Sequence, residues 1–311
     1  MTGVAAAGLG IGWLADQAFG DPARYHPVAG FGKLATVLEQ RLYADDRRAG
    51  VVFTATLVGG VAGLGWLAQR ACRGRPVAQA VVTAAATWAV LGGRSLAREA
   101  EIISDALQAG DLAAARARLP HLVSRDPSGL DADQIARATL ESVAENTSDA
   151  VVAPLFWGAV AGLPGLLGYR AINTLDAMVG YRNPRYRNFG WCSARLDDLA
   201  NWLPARLAGA LATGLAPLVG GKPEDALRVV ADQAPAHPSP NGGVVEGAFA
   251  GALGVTLGGT NTYGGVTEDR GELGTGPAPT PSDLARGVRL AHAVGLGSAL
   301  LGMALAWRRR R

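Results

Sequence analysis

Charge is scarce in this chain. Asp, Glu, Lys and Arg together make up 18% of 311 residues, against about 25% in soluble domains. A disordered chain is excluded, because 49% of the residues are hydrophobic and too much apolar surface would stay wet. Cysteine is nearly absent. Cys72 and Cys192 alone cannot build a disulfide framework. The excess of basic residues is only +3, too small for a nucleic-acid partner. The familiar nucleotide and hydrolase signatures are missing too. Gly220-Gly221-Lys222 runs into Pro223 rather than completing a P-loop, and no Gly-x-Gly-x-x-Gly, zinc spacing or nucleophile elbow occurs. No 20–50-residue period repeats, and no strand alternation stands out.

What the chain has is glycine, 43 residues of it, and long runs free of charge. Val51–Gln69, Pro76–Gly93, Ala150–Tyr169 and Leu290–Trp307 each approach the roughly 20 apolar residues that cross a bilayer. Met1–Ala15 and Leu207–Gly221 are weaker candidates. Gly247–Thr267 is uncharged but rich in glycine, and reads as loop and short helix. The expectation is an all-α, polytopic integral membrane protein. It forms a single domain over residues 1–311, with polar loops and a polar helical insert at about 94–149. A soluble bundle with buried core helices is the bland alternative. Pro27 leads into an amphipathic helix over about 28–43, and helices are expected over 94–118 and 131–148.

Charge alternates between the runs. Residues 94–149 carry six arginines against ten acids, and residues 170–206 carry six against three. The arginines of 70–75 and of the tail 308–311 suggest cytoplasmic placement of both, hence a cytoplasmic C-terminus. A simple serpentine then puts 170–206 inside, with 94–149 and 222–289 outside.

Three polar islands stand out. In the first, Glu141, Glu145 and Asp149 share a helix face if the helix persists, and like charges at that spacing need a cation or remain a solvated acidic face. Asn146 lies among them. In the second, Asn173, Thr174 and Asp176 follow an apolar run. Tyr181, Arg182, Arg185 and Arg187 then occupy a Pro/Gly loop. Arginine forks grip phosphate in two places, although a positive-inside anchor has the same composition. Asp197 and Asp198 either hold Mg²⁺ or pair with Arg195 and Arg206. In the third, prolines and an Asn-Gly-Gly turn fix His237, Ser239, Asn241 and Glu246; His237 alone would also suit a structural role. Asn261 belongs to a similar Gly-rich stretch.

Taken together, these islands resemble the adenosylcobinamide-phosphate synthase (cobinamide synthase) family of cobalamin-biosynthesis membrane proteins. The resemblance rests on Gly20-Asp21-Pro22 with His26-Pro27, Glu145-Asn-Thr-Ser-Asp149, Ala171-Ile-Asn-Thr-Leu-Asp176, Val179-Gly180-Tyr181-Arg182 and Phe189-Gly190-Trp191. It continues through Ala194-Arg195-Leu-Asp197-Asp198-Leu-Ala-Asn201-Trp202, His237-Pro-Ser-Pro-Asn241 and Asn261-Thr-Tyr263-Gly-Gly265. Ala150, Ala177 and Gly243-Val-Val-Glu246 depart from the pattern without removing a charged group.

The resemblance implies an ATP-dependent amide ligase in the bacterial cytoplasmic membrane. It would join adenosylcobyric acid, a corrinoid, to (R)-1-amino-2-propanol or its O-phosphate. Glu145, Asp149, Asp197 and Asp198 would take Mg²⁺. Arg182, Arg185, Arg187, Tyr181, Arg195, Asn241, Asn261 and Asn146 would bind substrate and phosphate. Asn173, Asp176 and His237 would be catalytic, with Asp176 or His237 as base. The partners would be small molecules, the bilayer and other enzymes of the same pathway. A corrinoid carrier or a membrane scaffold is the competing class. Because ATP is cytoplasmic, the serpentine conflicts with this reading unless one apolar run is re-entrant or buried.

Overall fold

The computed structural model describes residues 3–22, 26–123, 126–263 and 266–308, and side chains only outside 260–269. The described chain is mostly helical. In order it forms α1 (Gly3–Phe19), α2 (Pro27–Leu42), α3 (Arg47–Ala71), α4 (Pro76–Val90), α5 (Gly93–Gln108), α6 (Leu112–Arg118) and α7 (Ala132–Thr147). These are followed by α8 (Ala153–Ala161), α9 (Leu163–Val179), α10 (Trp191–Ala200), α11 (Trp202–Gly214), α12 (Pro223–Asp232) and α13 (Gly242–Leu253). The chain continues through β1 (Leu257–Tyr263) and β2 (Val266–Leu273) and closes with α14 (Pro281–Arg308).

Local chemistry sets the helix starts. Pro27 opens α2, where its missing N–H costs nothing, and His26 Nδ1 accepts the Val28 N–H at 3.2 Å. Asp46 caps α3 by accepting the Arg48 and Ala49 N–H groups. Asp131 and Gln134 close a reciprocal capping box at α7.

Arg47–Ala71, Pro76–Gln108 and Pro281–Arg308 are long and apolar enough to cross a membrane, by length and composition. The second stretch is broken at Leu91 and Gly92, so its apolar part ends with α4. The run Ala150–Tyr169, expected as one span, is two helices. A π-turn occupies Ser148–Val152, and Gly162, at φ +69°, ends α8 and turns the chain into α9. A side chain there would strike Gln69 Oε1, 2.2 Å from an added Cβ. The all-α expectation needs a second correction. β1 and β2 pair antiparallel, with a bulge between Gly258 and Thr260. Consecutive glycines at positive φ, Gly258 and Gly259, make that bulge and hide any alternation of side chains.

The chain forms two compact units: one of 1–92, 149–202 and 298–311, the other of 93–148 and 203–297.

The first unit packs through small residues. On α1, Gly8 and Gly12 sit against Thr83 and Thr87 of α4; added Cβ atoms would lie 2.6 and 2.4 Å from the threonine Cβ atoms. This is the small-residue seam by which helices approach in lipid. Gly50 of α3 abuts the Phe189 carbonyl, and Gly65 abuts that of Leu163. Thr54 and Ser193 join α3 to α10 by a 2.8 Å hydroxyl contact. Phe53, Leu175, Val179 and Phe189 form a buried cluster beside it.

The second unit is built on α13, buried along its whole length. Gly251 lies against Ala226 of α12, and Gly209 of α11 against Val244. Glu141 Oε1 accepts the Gly258 N–H at 2.9 Å, tying α7 to β1.

The seam makes a direct prediction. Gly12→Ala should destabilise the protein by about 1–3 kcal/mol through overpacking. Gly59→Ala on α3, where nothing lies within 4 Å, should be neutral or slightly stabilising. Thermal unfolding in detergent compares them, and equal melting temperatures would contradict the packing account.

Candidate active site

A cluster of carboxylates forms in the first unit, around Asn173. Its parts come from the π-turn (Asp149), α9 (Arg170, Asn173, Asp176) and α10 with its cap (Asp197, Asp198, Asn201). Asn173 Nδ2 donates to Asp149 Oδ2 at 3.3 Å and to Asp197 Oδ1 at 3.4 Å. Asn201 Nδ2 donates to Asp197 Oδ2 at 2.9 Å, and the Tyr169 hydroxyl donates to Asn201 Oδ1 at 2.8 Å. Arg170 Nη1 donates to Asn173 Oδ1 at 3.4 Å, which fixes the orientation of that amide. The carboxylates of Asp21 and Asp149 both act on Arg170. Asp149, Asn173, Asp176 and Asp197 are half-buried, so the cluster has a solvent-facing side.

Spacing explains the assembly. Arg170, Asn173 and Asp176 recur every three residues and share a face of α9, while Asp197 and Asn201 are four apart at the end of α10. Gly180 is needed against that face, since an added Cβ would lie 1.9 Å from Asp176 Oδ1. Burial first, and then the charge of Asp176, pushes the Asp197 carboxyl up to about 7. The carboxylates are therefore crowded enough that one tends to keep its proton at neutral pH.

Family comparison takes this site out of isolation. The model for the CobD/CbiB protein family matches residues 9–291, a stretch that contains every residue of the cluster. The chain belongs to the CobD/CbiB family. It is 53% identical over 306 residues to the cobalamin biosynthesis protein CobD of Mycobacterium tuberculosis strain H37Rv, covering 98% of this chain and 97% of the relative. The CobD of Geobacter metallireducens is 47% identical over 285 residues, covering 90% of each chain. That of Chromobacterium violaceum is 45% identical over 289 residues, covering 91% of each. No solved structure gives a significant match.

Other sequence-expected residues fall in different places. The acidic row Glu141–Glu145–Asp149 does not persist, because α-helical register ends at Thr147 and the π-turn rotates Asp149 away from it. Glu145 and Asn146 stay on α7, in the second unit, where Asn146 Nδ2 donates to the Ser142 carbonyl at 3.0 Å. Asp198 pairs with Arg195 at 3.0 Å, one of the two arrangements expected for it. Among the described residues, no group of three or more His, Cys, Asp or Glu side chains is arranged to hold a metal ion. The set of four carboxylates is thus not gathered as a cage, whereas Asp149 and Asp197 do converge on one amide.

Of the loop arginines, Arg182 and Arg187 are exposed, as is Tyr181. Arg185 is engaged: it pairs with buried Glu39 at 2.9 Å and lies over the Tyr43 ring at 4.4 Å. The Tyr186 hydroxyl donates to the same Glu39 oxygen at 3.0 Å. Glu39 thus latches the 180–190 loop to α2, and the second basic charge of the loop is spent on that latch.

The second unit holds the third island. His237 Nδ1 lies 3.1 Å from both the backbone nitrogen and the carbonyl oxygen of Ser239, and Nε2 lies 3.7 Å from Glu246 Oε1. Arg270 Nη2 reaches the same Glu246 oxygen at 3.3 Å. Ser239 Oγ accepts the Gly242 N–H at 2.9 Å at the start of α13, and Arg206 donates to Asn241 Oδ1 at 3.1 Å. His237 and Glu246 are buried, so this set braces the loop that carries Asn241. Asn261 pairs with Glu268 in the hairpin, and its side chain lies outside the described residues.

Sequence reasoning assigned no site role to Asp21, Tyr169, Arg170 or Asn201. A signal existed for two of them: Asn201 is four residues from Asp197, and Arg170 three from Asn173, both within helical reach.

The raised Asp197 carboxyl carries a stability signature. Above its ordinary value of 3.8 the folded protein keeps a proton that the unfolded chain has released. Stability therefore falls as pH rises toward about 7. In EDTA without nucleotide, Asp197→Asn should melt higher than wild type at about pH 8, by about 3 °C or more. The two should converge below about pH 3, where both states of the wild type are protonated. A pH-independent difference would contradict the shift.

Proposed function

We propose that this chain is a membrane-bound acid–amine ligase of cobalamin biosynthesis. It joins the free propionate carboxylate of adenosylcobyric acid to the amine of (R)-1-amino-2-propanol or its O-phosphate, driven by ATP. The observation that carries this reading is the half-buried set Asp149, Asn173, Asp176 and Asp197, in a member of a family whose curated relatives are named cobalamin biosynthesis proteins.

A carboxylate is a poor electrophile and must be activated. Transfer of the terminal phosphoryl group of ATP to it gives an acyl phosphate and ADP. The amine then attacks the carbonyl, phosphate leaves and one proton is lost. Mg²⁺ arriving with ATP spreads the negative charge of the phosphates. Asp149 and Asp197 suit that ion, which favours one or two carboxylates plus substrate oxygens. Exposed Arg182 and Arg187 supply forks for the phosphates, with Tyr181 beside them. Arg170 holds Asn173, and Asn173 holds the two carboxylates apart. Asp176 takes the ammonium proton, because both nitrogens of His237 are turned to its own loop and to Glu246.

The same reading addresses sidedness. Gly92 donates its N–H to the Ala150 carbonyl at 3.3 Å, Ala299 packs with Leu91 and Val151, and Tyr169 bridges Asn201 and the Asp149 carbonyl. Gly92, Ala150, Asn201 and Ala299 are therefore gathered at the cluster's end of the first unit. At its other end Gly3 meets Trp307, and the 72–75 turn joins α3 to α4. The α8–α9 turn at Gly162 also lies there, against Gln69. With the first unit as the membrane part, α8 and α9 go in and come back. Gly92, Ala150, Asn201 and Ala299 of the first unit then lie on one side, in place of the serpentine. The arginines of 70–75 and of 308–311 favour a cytoplasmic placement, yet the 72–75 turn and Trp307 stand at the end opposite the cluster. Cytoplasmic ATP is the ground on which this reading nevertheless puts the cluster inside and that end outside.

Two experiments test these claims. Purified full-length protein given adenosylcobyric acid, aminopropanol phosphate and Mg–ATP should yield the amide and ADP. Asp176→Asn and Gly180→Ala should each lose at least about 100-fold in kcat; wild-type turnover by both would refute the assigned base, and no product from wild type would refute the ligase. For sidedness, the two native cysteines are free and half-buried, Cys72 at the 72–75 turn and Cys192 on α10. In right-side-out vesicles an impermeant maleimide should label Cys72 in Cys192→Ser, and should label Cys192 in Cys72→Ser only after permeabilisation. The reverse pattern would overturn the orientation.

A further inference from the structure

The seam between α1 and α4 is closed at two levels and open at a third. Gly12 meets Thr87 and Gly8 meets Thr83. One helical turn further along, Ala5 and Gln79 do not meet. A cavity of about 220 Å³ lies there, lined by Ala5, Gln69, Gln79, Thr83, Ala159 and Ala306 among others. By volume it has room for about seven waters or a small organic group.

Its chemistry is specific. Among the described residues, no charged side chain lines it. Gln79 is only 5% exposed, yet its amide makes no hydrogen bond with the described residues. Gln69 Oε1 is already used, accepting the Leu163 N–H at 3.0 Å, so Gln69 offers the cavity its N–H donors. The Gln79 amide and the Gln69 N–H donors therefore face the cavity, where a neutral hydrogen-bonding group that entered would meet them. Exposed Arg70 follows Gln69 directly, and exposed Arg75 precedes Gln79 by one turn. Cations therefore stand at the same end of the unit as an uncharged, amide-lined chamber.

We propose that this chamber is a phospholipid site: the glycerol-ester carbonyls enter between Gln69, Gln79 and Thr83, and the headgroup phosphate remains outside with Arg70 and Arg75. A phosphate would be desolvated in the chamber with no cation to meet it, whereas ester carbonyls are neutral acceptors of the right kind for amide N–H groups. The proposal rests on the membrane reading of the first unit and not on the ligase reading.

Native mass spectrometry of the full-length protein, with phosphatidylglycerol added to the detergent, is the test. Wild type should retain one phosphatidylglycerol per chain under activation that strips the micelle. Gln79→Leu, which removes the donors, and Ala159→Leu, which fills the chamber, should each lower the retained fraction at least five-fold. Arg75→Gln should lower it as well, and should leave retention of uncharged diacylglycerol unchanged. Asp197→Asn should retain lipid as wild type does, which separates this site from the carboxylate cluster. Far-ultraviolet circular dichroism of each variant checks the fold. A bare wild type, meaning a chamber filled by water only, or equal retention by Gln79→Leu and Ala159→Leu with intact folds, would overturn the proposal.

Discussion

Three aspartates, Asp149, Asp176 and Asp197, are crowded about one asparagine, and that crowding is the constraint from which the rest of the first unit follows. Like charges in a half-buried place repel strongly. Asn173 answers with two donors on a single nitrogen, one toward Asp149 and one toward Asp197, while Arg170 engages its oxygen. The backbone must then deliver three elements, the π-turn, α9 and α10, to one point. The π-turn turns Asp149 toward α9, Gly180 leaves room for Asp176, and the Thr54–Ser193 contact sets α10 against α3. Holding three acids this close costs stability, which the bonds made by Asn173 and Arg170 help to offset.

The long apolar helices α3, α4 and α14 were legible because absence of charge is a strong signal over 18 or more residues. The amphipathic helix near 28–43 and the helix starts at Pro27 and Asp131 were legible from capping chemistry. The turn at Gly162 was not, since apolar residues flank it on both sides and no charge marks it. Its cause is a tertiary contact, the Gln69 side chain accepting the Leu163 N–H. The hairpin was hidden for another reason: Gly258, Gly259 and Gly271 carry positive φ and no side chain to alternate.

The functional residues divide in the same way. Asn173, Asp176 and Asp197 could be picked out because polar residues beside an apolar run demand an explanation. Asp149 was picked out by its spacing from Glu145, which the π-turn interrupts, and by the motif Glu145-Asn-Thr-Ser-Asp149. Arg185 looked like its neighbours in the loop, and only Glu39, far away in the chain, distinguishes it. In the second unit, His237 read equally well as ligand or brace. Its hydrogen bond with the Ser239 backbone and its burial beside Glu246 and Arg270 favour the brace.

All the groups that meet at Asn173 come from one contiguous stretch, from Asp149 to Asn201. During synthesis they leave the ribosome in immediate succession, after α1, α3 and α4 are already available as a wall. The centre can therefore close as soon as α10 emerges, before the hairpin or α14 has been made. Misplacement of α8 and α9 would scatter Asp149, Arg170, Asn173 and Asp176 at once.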